Sequence, residues 1–204
     1  MAMIGLRRVA AAMLALSMAG DVLAQSAAEV VEQARARARQ VEELKQVLND
    51  PDQNVRLAAF EAMVTSDEAL MRELALDAGL NSTDRVMRGM ALKHAVLGLS
   101  QLTLTLSVDE AAPKPVQDRS REYLAKQGSS YVMEIDQKGV DLSTGAFSSG
   151  ARNQTGNISG TVLTFKYYLH AGELHLQDDN TLAGTFYYTP GGTSHQFKAT
   201  APVR

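Results

Sequence analysis

The sequence predicts an α+β protein: a short N-terminal helical-repeat bundle followed by an antiparallel β-meander that forms a small barrel or a sandwich-like sheet. Composition changes along the chain, since eight of the nine methionines lie at or before Met90 and nine of the eleven Tyr and Phe residues lie at or after Tyr131. Methionine and alanine favour helices, whereas tyrosine, phenylalanine and threonine favour strands. Pro113 and Pro115 separate the two parts, because proline interrupts both kinds of element.

Composition also limits the possible functions. The chain has 204 residues, of which 45% are hydrophobic and 21% charged, as is typical of globular proteins. A net charge of −3 includes no basic excess, so we expect no nucleic-acid partner. The sequence has no cysteine, which excludes disulfide partners, thiol nucleophiles and thiolate metal sites.

Residues 1–24 have the organisation of a bacterial signal peptide. Arg7 and Arg8 precede an apolar run over residues 9–19, and small or apolar residues end at Ala24, before Gln25. The run is shorter than the roughly 20 residues that a membrane-spanning helix needs. We therefore predict cleavage after Ala24 and release into the periplasm or the medium. No membrane span is expected in the remaining chain, whose net charge is −4 because two basic residues and one acidic residue are removed.

Four helices are predicted in the helical region, residues 25–100. The first covers residues 26–49, where apolar residues recur at alternating steps of four and three. The second begins with Asp50 as its cap, Pro51 in the first helical position and Gln53 completing a capping box. The third follows residues 65–68 and ends at Gly79. The fourth starts near Ser82, and its apolar side carries Met87, Met90, Ala91, His94 and Leu97.

These helices contain a faint repeat. A shift of 32 residues superimposes Asp52 on Asp84 and Arg56 on Arg88. The run LNDPDQNVRLAA, residues 48–59, resembles the turn and second-helix signature of HEAT-like repeats. This resemblance covers about residues 40–98 and implies that the aspartate caps a helix and that the arginine interacts with a neighbouring repeat. A stable stack normally has at least three repeats, so we expect the helices to need a companion surface. A chance likeness between capped helices is the alternative.

Residues 101–128 are predicted as a strand, a proline-containing linker and a short helix. Apolar and polar residues alternate over residues 101–108, which is typical of a half-buried strand, and the helix is expected at residues 118–126. Residues 129–204 form the predicted β domain. Its closely spaced segments, with no helices between them, predict an antiparallel meander with turns at residues 178–180 and 190–192. The segments are residues 131–135, 144–148, 158–169, 174–177, 182–188 and 196–200.

One face of this meander is apolar and either covers a core or curls toward a small barrel. The strings GNISGTVL, residues 156–163, and GTF, residues 184–186, resemble the meanders of small ligand-binding barrels with lipocalin-like or avidin-like architecture. The likeness is architectural and transfers no site. It raises the alternative that the protein is a small-ligand carrier, with an apolar pocket lined by Phe165, Tyr167, Phe186 and Tyr188.

The opposite face of the meander is our candidate binding surface. Exposed tyrosines on a rigid sheet suit recognition, because they bury a large area at little entropic cost. Tyrosine also favours strands without any binding role, and the helical part could cover this face, so ordinary sheet architecture and domain packing are alternatives. The candidate binding residues are Lys166, Tyr168, His175, Tyr187 and Lys198.

The histidines do not form a recognisable site in the sequence. His94 is predicted to be a buried, hydrogen-bonded core residue. His170 and His175 flank a predicted turn at Ala171-Gly172, and their positions place the side chains on different faces, which disfavours joint zinc ligation. The sequence contains no nucleophile elbow, phosphate loop, dinucleotide fingerprint or zinc-protease motif. We predict no catalytic residue, metal or cofactor, with a triad assembled only by the fold as the exception.

These observations favour an exported, noncatalytic interaction protein whose helical part offers a groove or an edge to a protein partner. The small-ligand carrier is the alternative, and a hydrolase with a dispersed active site is a third hypothesis.

The leader can be tested directly. We expect the exported protein to begin at Gln25, as measured by N-terminal sequencing and intact mass. Ala24→Phe, which places a large side chain at the cleavage point, is expected to leave the leader attached. Recovery of the native protein inside cells with Met1 at its start would contradict the prediction.

Overall fold

The computed structural model describes residues 7–150 and 154–203, with side chains from residue 27 onward. Within these residues there are five α-helices, and eight β-strands that form one antiparallel sheet. The predicted α+β class is therefore confirmed. The predicted leader lies outside the residues whose side chains are described, so its cleavage stays a prediction.

The first helix, α1, spans Arg7–Leu48. The prediction that it starts at residue 26 was wrong, because the preceding Ala, Leu and Met residues favour a helix as strongly as those that follow. The chain divides into two units, Met1–Val47 and Leu48–Arg204, and α1 supplies the described part of the first unit.

Three short helices follow in the second unit: α2 (Gln53–Val64), α3 (Ala69–Leu80) and α4 (Arg85–Leu97). Asp52 caps α2 by accepting the amide of Asn54 at 2.8 Å, and Asp84 caps α4 by accepting the amide of Val86 at 2.9 Å. The assignment of Asp50 as the cap, Pro51 as the first helical residue and Gln53 as the partner in a capping box was wrong, because α2 begins two residues later, at Gln53. The Asp50 carboxylate instead accepts the amide of Asp52, which closes a turn before the helix.

Gly79 lies inside α3 and does not end it, contrary to the prediction. A Cβ atom at this position would lie 2.6 Å from Cβ of Ala91 and 2.7 Å from a ring carbon of Phe60. The missing side chain thus lets α3 approach both neighbouring helices, and packing explains this glycine better than termination does.

Arg56 and Arg88, which the 32-residue shift superimposes, make equivalent contacts. Arg56 Nη2 donates to Asp84 Oδ2 at 2.8 Å, and Arg88 Nη1 donates to Asp178 Oδ1 at 3.0 Å. Asp84 belongs to the helices, whereas Asp178 lies in a turn of the sheet. The sheet therefore provides the acidic partner at the point where the helical series ends.

The remaining elements follow in chain order, and they confirm the antiparallel meander. Predicted segment 158–169 is in fact two strands, joined by a turn at Gly160 with φ 56°. The last helix begins earlier than predicted because Pro115 fits its first turn, where no amide is needed. The elements are β1 (Gln101–Val108), α5 (Lys114–Gln127), β2 (Ser130–Glu134), β3 (Ala146–Ser148), β4 (Gln154–Ser159), β5 (Val162–Tyr167), β6 (His170–Leu176), β7 (Thr181–Tyr188) and β8 (His195–Pro202).

The sheet curls into a half-barrel. Its strand order is β2-β1-β8-β7-β6-β5-β4-β3, so β2 and β3 are its two edges. The two edges approach each other where the amide of Asp136 donates to the carbonyl of Ser148 at 2.7 Å. Across the interior, the Tyr167 hydroxyl donates to the carbonyl of Glu134 at 2.9 Å, and the ring centroids of Tyr131 and Phe186 are 4.7 Å apart.

The inner face of the half-barrel forms the core, as the alternating pattern predicts. Leu163, Phe165, Leu174, Phe186 and Phe197 are buried there. Turns at one end of the half-barrel contact α4. At the other end lies α5, where the Ser120 hydroxyl donates to the Gln196 carbonyl at 2.9 Å and the Tyr123 ring packs 5.3 Å from that of Phe197.

The two arginine contacts predict different effects on stability. Asp84 is almost completely buried and caps α4, so we expect Asp84→Ala to lower the free energy of unfolding by about 2 kcal/mol. Asp178 is fully exposed, and Asp178→Ala, the matched control, should cost less than about 0.5 kcal/mol. Urea unfolding of both variants measures the difference, and equal losses would contradict this interpretation.

Arg56 also lowers the pKa of Asp84, with further hydrogen bonds from Gln53 and two helix amides acting in the same direction. The stability from this carboxylate is therefore complete above the ordinary Asp pKa of about 4 and is lost as the pH falls through the lower folded pKa. The free-energy difference between wild type and Asp84→Ala should shrink accordingly in acid.

Candidate functional site

An open groove with a volume of about 470 Å³ lies between helices α2–α4 and the segment of residues 137–142. Each helix contributes to its lining, and the segment after β2 provides the opposite wall. This volume falls within the range of about 300–1,000 Å³ found for ligand sites. The apolar lining includes Val64, Leu76, Leu97, Leu99, Val140 and Leu142.

Polar contacts hold the wall of the groove that comes from the sheet. The amide of Gln137 donates to the Leu97 carbonyl at 3.2 Å and also to the carbonyl of Leu99. Asp141 accepts hydrogen bonds from the hydroxyls of Ser143 and Thr144 at 2.6 and 2.8 Å. These hydrogen bonds lower the pKa of Asp141 to about 2, so the Asp141 carboxylate is ionised in the folded protein at neutral pH.

His94 is half-buried and lines the groove. Its ring meets that of Phe60 edge-on, with 6.0 Å between the centroids. The prediction of a buried, hydrogen-bonded core histidine was wrong, because the ring faces the gap between α3 and the 137–142 segment. Burial lowers the pKa of His94, the neighbouring Lys93 lowers it further, and Glu61 acts in the opposite direction. The imidazole is therefore neutral at pH 7.

Two charged residues of α3, Arg72 and Glu73, also line the groove. Both are exposed, and Arg72 Nη1 donates to the Ser66 carbonyl at 2.6 Å, which fixes the direction of its side chain. Within residues 7–150 and 154–203, no group of three or more His, Asp or Glu side chains could hold a metal ion. The groove thus combines apolar walls with a charged rim, an arrangement suited to binding an apolar group.

Four of the five candidate binding residues lie on the outer face of the sheet. Lys166 and Tyr187 flank Ala171 in one cross-strand row, whereas Lys198 pairs with Thr185 in the next row. His175 lies on β6 and contacts Glu173 at 3.0 Å. These side chains are spread over four strands and do not surround a common point.

Tyr168, the fifth candidate residue, is not part of this face. It lies in the turn between β5 and β6 with φ 47° and is largely exposed. The alternation of β5 ends at Tyr167, so the predicted placement of Tyr168 on the outer face was wrong.

His170 and His175 do not flank a turn as predicted. Both lie on β6, and Ala171-Gly172 is inside that strand because the turn, Tyr168-Leu169, falls three residues earlier. His170 faces inward and stacks on Tyr188 with 4.9 Å between ring centroids, whereas His175 faces outward. The two histidines are five positions apart on one strand, and because successive side chains alternate between faces, this odd separation places the two rings on opposite faces of the sheet.

The rings of the predicted carrier pocket pack against one another. Phe165 lies 5.7 Å from Tyr167 and 6.0 Å from Phe186, measured between centroids, and all three side chains are buried. Tyr188 is half-buried beside Tyr123, at 5.2 Å. The carrier hypothesis stays a prediction that this packing does not favour.

Sequence reasoning did not find the groove, because its lining comes from four separated segments with no common motif. One signal was present in Val140-Asp141-Leu142, where apolar residues alternate with a polar residue outside any predicted strand. Leu142 is 43% exposed in the fold.

No protein-family model, curated protein or solved structure matches this chain. Within the described part of the chain, no helix is both long enough and apolar enough to cross a membrane.

The lowered pKa of His94 predicts a specific pH dependence. The unfolded chain takes up a proton at this residue near pH 6.5, while the folded protein resists it, so stability is lost as the pH falls from about 6.5 toward the folded pKa. We expect the free energy of unfolding of wild type to fall more steeply between pH 7 and pH 5 than that of His94→Gln. NMR titration of the His94 ring should give a midpoint below 6.5, and a midpoint at or above that value would contradict the prediction.

Proposed function

We propose that this protein is a noncatalytic binding module that acts outside the cytosol and takes an apolar side chain of a protein partner into the groove between α2–α4 and residues 137–142. The observation that carries this proposal is the groove itself, whose two walls come from the helices and from the sheet. Export rests on the predicted leader and is part of the same proposal.

The shape of the groove favours a segment of a protein over an enclosed small molecule. The groove is open to solvent, so an occupant can enter while still attached to a larger chain. Leu142 and Val140 are accessible at one wall, and Leu76 is half-buried at the other. An apolar anchor residue between these walls would remove their remaining apolar surface from water.

The charged and polar residues at the rim of the groove indicate which residues of the partner would lie beside its apolar anchor residue. Arg72 lines the groove and donates from Nη1 to the Ser66 carbonyl at 2.6 Å, and its guanidinium can also pair with a carboxylate next to the anchor. His94 is neutral at pH 7 and offers both a hydrogen-bond donor and an acceptor. The proposed occupant is therefore a peptide segment with a large apolar residue beside an acidic residue.

Selection of displayed peptides against residues 25–204 tests this proposal. We expect the selected peptides to share a large apolar residue with an acidic neighbour, and their binding to shift the methyl NMR signals of Leu97, Leu99 and Val140. Methyl shifts confined to the outer face of the sheet would instead favour the surface of Lys166 and Tyr187, and would overturn the groove as the site.

A pair of matched variants then tests the wall of the groove. Leu142→Ser is expected to weaken peptide binding by about tenfold, because one apolar contact is lost, while leaving the free energy of unfolding nearly unchanged. Val132→Ser, at a position of similar exposure, 47% against 43%, lies on the outer face of β2 and should bind peptide as the wild type does. Equal weakening by the two variants, measured by calorimetry, would count against the site.

A further inference from the structure

The helix α1 exposes a long apolar stripe in residues 27–47. Nearly every side chain of this stretch is exposed, including the valines at positions 30, 31 and 47, and Val31 retains 49% of its surface. The described part of the first unit is this one helix, and one helix cannot form a core. An apolar stripe on an isolated helix stabilises it only when a partner covers the stripe.

The spacing of the stripe is that of a coiled coil. Ala27, Val31, Ala34, Ala38 and Val41 follow each other at steps of four, three, four and three. This places Val31 and Ala38 at heptad position a, with the other three at position d. The apolar positions cover two heptads, residues 27–41, and the same register reaches three heptads, about 31 Å of helix over residues 27–47, when Lys45 is included at the next a position.

The residues beside the stripe indicate what the partner is. Arg37 takes a g position and Glu42 the e position that follows it. In two parallel helices in register, a g residue faces the e residue of the next heptad of the other helix. Arg37 of one copy would thus face Glu42 of the other, and symmetry would repeat the pair. At this pair of positions the stripe is complementary in charge to a second copy of itself.

Three other charged residues of the helix are already paired with one another. Glu32 accepts from Arg39 at 3.2 Å and lies 3.8 Å from Arg35. Within the described residues, Arg37 and Glu42 form no ion pair, so both are available across a helix–helix interface. Lys45 takes the next a position. A single polar residue at an a position favours one alignment of the helices and a two-stranded coiled coil, and it lowers the stability of that coiled coil.

We propose that residues 27–47 pair with the same residues of a second copy of this chain, as a parallel two-stranded coiled coil. This inference goes beyond the proposed groove and does not depend on it, because the groove lies entirely within residues 64–142. Pairing would present two grooves in one dimer, so a partner with two suitable segments would bind more tightly than a partner with one.

Single cysteine variants test the pairing, and the sequence has no native cysteine to interfere. In residues 25–204, Ala38→Cys at position a should form a disulfide-linked dimer under mild oxidation. Ala36→Cys is the matched control, since it has the same residue type on the same helix but at position f, which faces away from the stripe. Cross-linking of the two variants to equal extents would overturn the proposal.

Light scattering and sedimentation equilibrium give the second measurement. Wild type should be a dimer. Val31→Glu should raise the dimer dissociation constant at least tenfold, because dimerisation would then remove an unpaired charge of each helix from water. Val86→Glu, at a valine of similar exposure on α4, 52% against 49%, should leave the dimer unchanged. A wild type that is monomeric at all concentrations would overturn the proposal.

Charge reversal tests whether the two helices are parallel, and it does not depend on the stability of Val31→Glu. Arg37→Glu should weaken the dimer, and Arg37→Glu combined with Glu42→Arg should restore it. Failure of the double variant to restore a dimer whose single variants dissociate would contradict the parallel arrangement.

Discussion

Two neighbouring residues of α4, Arg88 and Gly89, fasten the helices to the sheet. Gly89 lies so close to the turn between β4 and β5 that a Cβ atom would be 3.0 Å from the backbone of Gly160. Arg88 donates to carbonyls on both sides of the junction, at Leu80 and Gln177, as well as to Asp178. The groove has one wall from the helices and the other from the segment after β2.

The same junction explains how so short a helical series can be stable. Helices α2, α3 and α4 pack in series, so the last of them needs a further surface against which to bury its apolar side. Arg56 finds its acidic partner, Asp84, in the next helical unit, whereas Arg88 finds Asp178 in a turn of the sheet. The turn of the sheet thus provides for Arg88 the acidic contact that the start of α4 provides for Arg56. It also shields the end of the helical core from water.

Local patterns predicted the elements of this fold better than they predicted their ends. Alternation identified β1, because each buried leucine in it is followed by a polar residue. Gly79 was read as a helix terminator, since glycine has both meanings, and only the position of Phe60 shows that close packing requires it here. Tyr168 continues the aromatic run of β5, and the chain turns there in a conformation that tyrosine seldom adopts. The groove could not be predicted, because Val64 and Leu142 are brought together only by the fold.

The curl of the sheet has a consequence for the solubility of the protein. The edge strands β2 and β3 are five and three residues long, and the chain next to one of them bonds to the other between Asp136 and Ser148. A flat sheet of eight strands would present two long rows of unpaired amides and carbonyls to other molecules, which is how sheets nucleate fibrils. Here both edge strands are short, and the Asp136–Ser148 hydrogen bond brings the two edges together, so the sheet does not present a long flat edge to other molecules.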